Sequence, residues 1–290
     1  MIIPMNYLID GTQIAQRVLD KVCSQAEILA RQGITPKLAV ILVGDDKASH
    51  TYVKRKQQAA AKCGIACEVA YLPAEISKEE LIKQLELIQQ DKTLSGLIVQ
   101  LPLPEPLYTA EVLNAIKPEY DIDGLTNLNL GKLMMKKAPW LPPTPAAAME
   151  IIKSLDIEVA GKNITIIGVG ALVGKPLAIM LMNARASVTT VNSSTADMTA
   201  KCLAADIIIS GVGKANLVRG NMVKPGALVI DAGVSFSEGK MFGDAAVLEI
   251  ADHAYVTPTP GGVGPITVAK LLANTVRSAA LLHQIETPEL

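Results

Sequence analysis

Residues 163–176 read Asn163-Ile164-Thr165-Ile166-Ile167-Gly168-Val169-Gly170-Ala171-Leu172-Val173-Gly174-Lys175-Pro176. Asn163 to Ile167 is a short β-branched run that predicts a buried strand. The glycines after it predict a tight turn, and Leu172 to Ala184 predicts a helix with Pro176 in its first turn. Strand, glycine turn and helix start together form the context of a dinucleotide site. Glycines let backbone N–H groups approach a pyrophosphate, and the helix N-terminus adds partial positive charge. The spacing is G-x-G-x-x-x-G, one residue longer than the common fingerprint, and a plain tight turn is the competing reading of such a trio. An acidic residue gripping a ribose 2′-hydroxyl should end the next strand, Ser187 to Val191. The chain instead continues Asn192-Ser193-Ser194-Thr195. Hydroxyls without a carboxylate tolerate a 2′-phosphate, which points to NADP. NAD stays as the alternative because no arginine is adjacent and Lys175 is the nearest cation in sequence.

Outward from this segment the same alternation repeats. Asp206 to Ile209, Ala227 to Ile230 and Ala254 to Val256 predict further strands. On the N-terminal side, Leu38 to Val43 predicts a strand, Lys47 to Cys63 a helix stopped by Gly64, and Cys67 to Leu72 a strand. Ser77 with Glu80 three residues later is a capping box opening the next helix. Gly96 to Leu101 is a third strand, ended by Pro102-Leu103-Pro104. The proline-rich stretch Pro139 to Pro145 separates the two series. Residues 257–265 are too rich in proline and glycine for either element, and Ile266 to Gln284 predicts a long closing helix. The fold class is therefore α/β with two domains, an N-terminal parallel-sheet domain and a Rossmann-like dinucleotide-binding domain.

Composition narrows the function classes. With 27 basic and 28 acidic residues the formal net charge is −1, which offers no basic face for nucleic acid and no electrostatic attraction to anionic membranes. One Trp, six Tyr and two Phe leave an aliphatic core, suited to helices covering parallel sheets. No apolar run reaches the roughly 18 residues of a membrane span. The N-terminus lacks the basic flank and cleavage site of a secretory signal, so the expected location is cytoplasmic. Cys23, Cys63, Cys67 and Cys202 match no disulfide framework and read as ordinary core or surface residues. His50, His253 and His283 lack zinc-ligand spacing, so no metal is expected.

Three segments of the first domain can carry chemistry. Tyr52 and Lys56, four residues apart, share a helix face. A phenol can stack on a planar heterocycle while the lysine meets its reacting atoms; two solvated side chains are the plainer reading. Gln100 ends a buried parallel strand, where polar groups face a binding crevice. Asp121 and Asp123 lie in a D-x-D-G sequence that is most often a turn, and the rest of an EF-hand ligand series is missing.

Taken together, these segments resemble one family, the bifunctional methylenetetrahydrofolate dehydrogenase/methenyltetrahydrofolate cyclohydrolases. The resemblance rests on LIDGTQIAQ (8–16), ASHTYVKRK (48–56), GLIVQLPLP (96–104), DIDGL (121–125), GVGALVGKP (168–176) and TPTPGGVGPIT (257–267). It spans essentially the whole chain in order. It implies a folate-binding catalytic domain over 1–143, completed by the C-terminal helix 266–290, and an NAD(P)-binding domain over 144–265, with the site in a cleft between two sheets. It implies oxidation of 5,10-methylenetetrahydrofolate with NADP, then hydrolysis of the methenyl product to 10-formyltetrahydrofolate, within the one-carbon metabolism that feeds purine synthesis. By this resemblance Lys56, Gln100, Asp123 and Tyr52 are catalytic. Tyr52, Gln100, Leu101, Asp123, Pro260, Gly261 and Gly262 bind tetrahydrofolate derivatives. Gly168, Val169, Gly170, Val173, Gly174, Asn192, Ser193, Gly211 and Val212 bind the cofactor. The expected assembly is a homodimer.

This sequence departs from the family pattern at several positions. Gln58 replaces a basic residue, Tyr120 a lysine, and Pro143 and Ala147 the Cys and Gly of P-C-T-P-x-G. Val169 and Gly170 replace Arg-Ser, and Asn192 replaces a His. Most of these positions surround the cofactor, so they bear on cofactor preference and relative rates more than on reaction type. Two other classes fit the Rossmann signal alone: a non-catalytic nucleotide-binding regulator, and a shikimate- or amino-acid-type dehydrogenase. Neither calls for QLPLP or PGGVGP. A dehydrogenase that has lost cyclohydrolysis would not need Lys56, Gln100 and Asp123 together.

Overall fold

The computed structural model of the chain describes residues 7–237 and 240–286. In order, its elements are α1 (Gly11–Ala30), β1 (Lys37–Val43), α2 (Lys47–Lys62), β2 (Ala66–Leu72), α3 (Lys78–Ile88), β3 (Gly96–Val99), α4 (Ala110–Asn114) and α5 (Asn127–Met134). There follow α6 (Pro143–Ser154), β4 (Asn163–Ile167), α7 (Gly174–Asn183), β5 (Ser187–Val191), α8 (Met198–Leu203), β6 (Ile207–Ser210), β7 (Leu228–Asp231), β8 (Ser235–Ser237), β9 (Lys240–Phe242), α9 (Val247–Ile250), β10 (Tyr255–Val256) and α10 (Val263–Leu282). They group into two compact units. One holds Gln16–Pro143 with the residues from Val268 onward; the other holds residues through Ala15 with Thr144–Thr267. Among the described residues no helix is long and apolar enough to cross a membrane.

In the first unit a parallel sheet runs β2-β1-β3. Central β1 buries six of its seven residues and β3 all four, which is why both read as unbroken apolar runs rather than alternating ones. Ile41, Val43, Leu97 and Val99 pack with Leu81 and Leu85 of α3 into one aliphatic core. Asp46 caps α2, its carboxylate accepting from the Ser49 N–H (2.7 Å) and hydroxyl (2.8 Å). The same helix ends at Cys63, followed by Gly64 at φ +66°, a left-handed conformation that glycine adopts without steric cost.

The second unit has a parallel sheet of order β10-β7-β6-β4-β5. Strand β4 has β5 on one side and β6, reached later in the chain, on the other. The strand order therefore reverses at the carboxyl end of β4, where a crevice for a ligand opens in such sheets.

Several expectations are corrected. Helix α7 begins at Gly174, not Leu172, because the extra residue of the long glycine spacing is absorbed in a turn over 171–173. Helix α10 begins at Val263, since Pro265 fits a first helical turn whose N–H groups need no partner. The Ser77 cap is one-sided: Ser77 Oγ accepts from Glu80 N–H at 3.1 Å, while the Glu80 side chain accepts from Gln84 instead. Residues 7–15 fall with the second unit, because Ile9 N–H donates to the Val256 carbonyl (3.0 Å) and Leu8 bridges the same residue. Helix α1, which buries Ile14, Val18, Val22, Ala26 and Leu29 at helical spacing, and helix α6 are additions to the expected elements, as are the β8–β9 hairpin and the helices α4, α5, α8 and α9, too short for a readable period.

The cysteine reading is also overturned. Cys23 and Cys63 form a disulfide, their Cα atoms 4.2 Å apart. Forty residues separate them in sequence, and only the packing of α1 beside the end of α2 brings them together. Closing a loop of that length stabilises by about 2–4 kcal/mol. A reductant should therefore lower the denaturant midpoint of the wild-type protein, and Cys23→Ser should begin at the lower midpoint and not respond, as read by urea unfolding with and without reductant.

Candidate active site

Helix α2 carries Tyr52 and Lys56 one turn apart. Lys56 Nζ donates to Gln100 Oε1 at 2.9 Å. Gln100 is buried and follows β3 directly; its N–H extends the ladder to the Ile41 carbonyl (2.8 Å) and its Nε2 donates to the Leu101 carbonyl (2.6 Å). With the amide nitrogen engaged there, the amide oxygen is left to face the ammonium. The Leu101–Pro102 peptide that follows is cis. Leu101 itself packs against the aliphatic core.

Removal of water around the Lys56 ammonium lowers its pKa from the ordinary 10.5, outweighing the attraction of Asp123 and the smaller influence of Cys67. The Asp123 carboxyl is pushed up to about 6, chiefly by burial; Lys56 pulls it down and Asp121 pushes it further up. Burial also raises the Tyr52 phenol, with Arg55 acting weakly against it. Cys67, whose electrostatic coupling to Lys56 no sequence signal announced, is held at about 11 by burial. It is a thiol at neutral pH and not a nucleophile.

The two aspartates of D-I-D-G have separate tasks. Asp121 is buried, and its carboxylate accepts from Leu125 N–H (3.1 Å), Thr126 N–H (2.8 Å) and Asn129 Nδ2 (2.9 Å). Its carbonyl accepts from Trp140 Nε1 at 2.7 Å. Asn274 of α10 donates to the Ile122 carbonyl (2.8 Å), and Ser278 to the Glu119 carbonyl (3.0 Å). The backbone on both sides of Asp123 is thus fixed, while no hydrogen bond from a described residue occupies the Asp123 carboxyl.

In the other unit, Gly168 takes φ +95° and its N–H donates to the Val191 carbonyl at 2.8 Å. A Cβ on Gly174 would strike the Gly168 carbonyl oxygen, so only glycine permits this approach of α7 to the turn. Val173 stands at the N-cap of α7 and supplies no side-chain cap, which leaves the helix end suited to an anion. Gly170 has open space around it, so nothing steric explains glycine where the family pattern has serine. Val169 is half-buried, and Asn192 and Ser193 are exposed at the end of β5. The Asn192 side chain accepts from Ser194 N–H (2.9 Å), shaping that turn. Gly211 N–H donates to the Ile167 carbonyl (3.0 Å), and Val212 is exposed beside it. These residues fit a dinucleotide: close backbone approach, an uncapped helix end, and Asn192-Ser193-Ser194-Thr195 in place of a carboxylate at the end of β5. Pro260, Gly261 (φ +101°) and Gly262 follow β10 in this unit, with the Thr259–Pro260 peptide cis. A Cβ on Gly11 would meet the Gly262 carbonyl. The structure thus joins Lys56, Gln100 and Asp123, sets Tyr52 one turn away, and assigns Pro260 to Gly262 to the unit that holds the glycine turn.

Residues 9–123 match the family described as tetrahydrofolate dehydrogenase/cyclohydrolase, catalytic domain, and residues 142–283 match its NAD(P)-binding domain. The chain is 44% identical over 279 residues to the bifunctional protein FolD of Geobacillus thermodenitrificans, covering 95% of this chain and 98% of that one. The crystal structure of the bifunctional dehydrogenase/cyclohydrolase FolD from Campylobacter jejuni is 39% identical with a TM-score of 0.91, covering 94% and 98%. That of the Trypanosoma brucei enzyme, complexed with NADP cofactor and inhibitor, is 35% identical with a TM-score of 0.91, covering 94% and 97%.

Asp121→Ala strands three buried donors and should cost about 3 kcal/mol or more. Asp123→Ala should change stability by about 1 kcal/mol or less, since it deletes a carboxyl that holds no backbone. Thermal denaturation of the two variants side by side checks this division.

Proposed function

The chain belongs to the tetrahydrofolate dehydrogenase/cyclohydrolase family, and from that premise we propose how its residues divide the two reactions. The protein oxidises 5,10-methylenetetrahydrofolate to the methenyl cation and hydrolyses that cation to 10-formyltetrahydrofolate. The observation that carries the assignment of roles is the Lys56–Gln100 hydrogen bond beside the Asp123 carboxyl.

Bound NADP supplies the hydride acceptor for the first reaction. The residues that would hold it are Gly168, Val169, Gly170, Val173 and Gly174 at the glycine turn, Asn192 and Ser193 at the end of β5, and Gly211 and Val212 on the neighbouring loop. The chain's own contribution to the oxidation is positioning. Tyr52 stacks on the planar part of the folate. The Asp123 carboxylate accepts from the pterin's amino and ring N–H groups, which it is able to do because no described residue donates to it. Pro260, Gly261, Gly262 and Leu101 line the substrate.

In the second reaction a water oxygen bonds to the methenyl carbon, the bond from that carbon to N5 breaks, and one proton is released overall. A lysine of ordinary pKa is a poor base at neutral pH. The depressed Lys56 pKa, lowered further by a cationic substrate, makes a neutral amine accessible. Lys56 takes the water proton and delivers it towards the departing N5, and Gln100 holds the amine in place by accepting its other N–H. The same reading includes a folate domain over 16–143 completed by the closing helix from Val268, a cofactor domain over 144–267 joined by the residues before Gln16, a homodimer, and a cytoplasmic setting with no nucleic-acid or membrane partner.

The test is a spectroscopic assay with 5,10-methylenetetrahydrofolate and, separately, NADP or NAD. Wild type should reduce NADP without accumulating methenyl absorbance. Lys56→Met should hydrolyse added methenyl substrate at least about a hundredfold more slowly; hydrolysis at the wild-type rate would remove Lys56 from the mechanism. Cyclohydrolase activity should fall as pH drops through about 6, because Asp123 then takes up a proton and stops accepting N–H bonds. Asp123→Asn should be slow throughout and lack the Asp123 limb near 6, keeping only the loss of activity that follows protonation of the Lys56 amine.

A further inference from the structure

The loop that follows β6, residues 211–214, sits beside the first glycine of the cofactor turn. A Cβ on Gly168 would lie 3.0 Å from the Gly211 carbonyl oxygen and 3.1 Å from Val212 Cγ2. The loop is exposed and contains Gly213 at φ +78°, so its own sequence gives it little rigidity. Its first residue is tied to the sheet by the Gly211 N–H bond to Ile167, and beyond it one buried carboxylate from a distant part of the chain fixes the loop. Asp244 Oδ2 accepts from Ser210 Oγ (2.6 Å) and Val212 N–H (2.7 Å), and Oδ1 accepts from Lys214 N–H (2.7 Å). Three donors within five consecutive residues converge on one side chain that is 0% exposed.

Asp244 is in turn held by Asp231, the last residue of β7. Asp231 Oδ1 accepts from Gly233 N–H (3.0 Å) and Asp244 N–H (3.0 Å), and Oδ2 from Ala245 N–H (2.9 Å). The glycines are reciprocal: a Cβ on Gly233 would collide with the Asp244 carboxylate, and one on Gly243 with the Asp231 carboxylate. Burial pushes the Asp231 carboxyl up to about 6, and the Asp244 charge adds to that rise. Two buried carboxyls side by side are a costly way to fill space, and apolar residues of equal volume fill it at lower cost. What carboxylates add is direction, since each bond fixes one backbone N–H in one orientation.

We propose that Asp244 is a positioning residue for the dehydrogenase reaction, holding the 211–214 loop against the Gly168 turn so that the cofactor meets a formed surface, and that Asp231 orients Asp244. The loop's ordering cost is then met on folding and not on binding. This rests on the functional reading above only for the activities used in its test. Because Lys56, Gln100 and Asp123 belong to the other compact unit, the clamp should matter to the cofactor-dependent step and not to hydrolysis of added methenyl substrate.

The experiment compares full-length wild type, Asp244→Asn and Ser210→Ala. It measures NADP dissociation constants by calorimetry, KM and kcat of the dehydrogenase, and the cyclohydrolase rate on methenyl substrate. In Asp244→Asn an NH2 replaces one acceptor oxygen, so at least one N–H or O–H donor of the loop loses its partner. Its NADP dissociation constant and KM should rise about tenfold, from the loss of a hydrogen bond to a charged group. Its kcat at saturating NADP should change much less, and cyclohydrolysis should stay at the wild-type rate. Ser210→Ala removes one of the three bonds and should raise KM for NADP about twofold. Hydrogen exchange at the Val212 and Lys214 amides should speed up in Asp244→Asn. Unchanged NADP binding in Asp244→Asn overturns the proposal. If that variant loses both activities, Ser210→Ala decides: a raised KM with intact cyclohydrolysis supports the clamp, and an unchanged KM overturns it. If wild type shows neither activity, the functional reading fails, and the calorimetric comparison still judges the clamp.

Discussion

A lysine ammonium and an aspartate carboxyl interact in surroundings that favour neither charge. Burial works against the charged form of both Lys56 and Asp123, and their mutual attraction offsets only part of that cost. The rest of the catalytic unit can be understood as support for this arrangement. Gln100 gives the amine a neutral acceptor in place of a carboxylate. An acidic residue there would stabilise the ammonium and return Lys56 towards its ordinary pKa. The buried β1–β3 pairing, continued by the Gln100 N–H to Ile41, sets where that acceptor lies.

The second requirement is that the Asp123 backbone not move while its carboxyl stays available. The fold meets it by assigning other residues to the backbone. Asp121 holds the residues after it, Trp140 holds the Asp121 carbonyl, and Asn274 and Ser278 on the closing helix hold Ile122 and Glu119. The Asp231–Asp244 pair in the cofactor unit follows the same logic, with buried carboxylates used to aim backbone groups. In the catalytic unit the two aspartates of D-I-D-G separate into Asp121, which fixes the chain, and Asp123, whose carboxyl takes no hydrogen bond from a described residue; in the cofactor unit both aspartates fix the chain.

Much of this was legible in the sequence, and the reason is local. Continuous apolar runs identified β1, β3, β4, β6 and β7, since a doubly buried parallel strand leaves a local pattern, whereas the exposed edge strand β5 showed only through its β-branched residues. The Tyr52–Lys56 spacing, the position of Gln100 at a strand end and the glycine turn after β4 are also local facts. What could not be read depends on contacts between distant segments. The Cys23–Cys63 disulfide follows from packing of α1 on α2 across forty residues. The attachment of residues 7–15 to the cofactor unit follows from bridging at Val256. Asp244 gives no sign in sequence that its partners lie at 210–214. Only glycine fits at 174, the first residue of α7, because the carbonyl of Gly168 fills the space a side chain would need. Tyr120, where the family pattern has lysine, packs its ring against the aliphatic core, so the substitution exchanges a charge for apolar contact.

The central claim is that loss of water around Lys56 outweighs the pull of Asp123, leaving an amine that can release and accept a proton nearer neutrality. The most direct measurement is an NMR titration of wild-type protein carrying isotope-labelled lysine, with the Lys56 signal assigned by its absence in Lys56→Met. The account predicts a midpoint for Lys56 clearly below 10.5. A midpoint at or above that value would show the ion pair prevailing over desolvation, and would contradict a lysine that manages protons in this site.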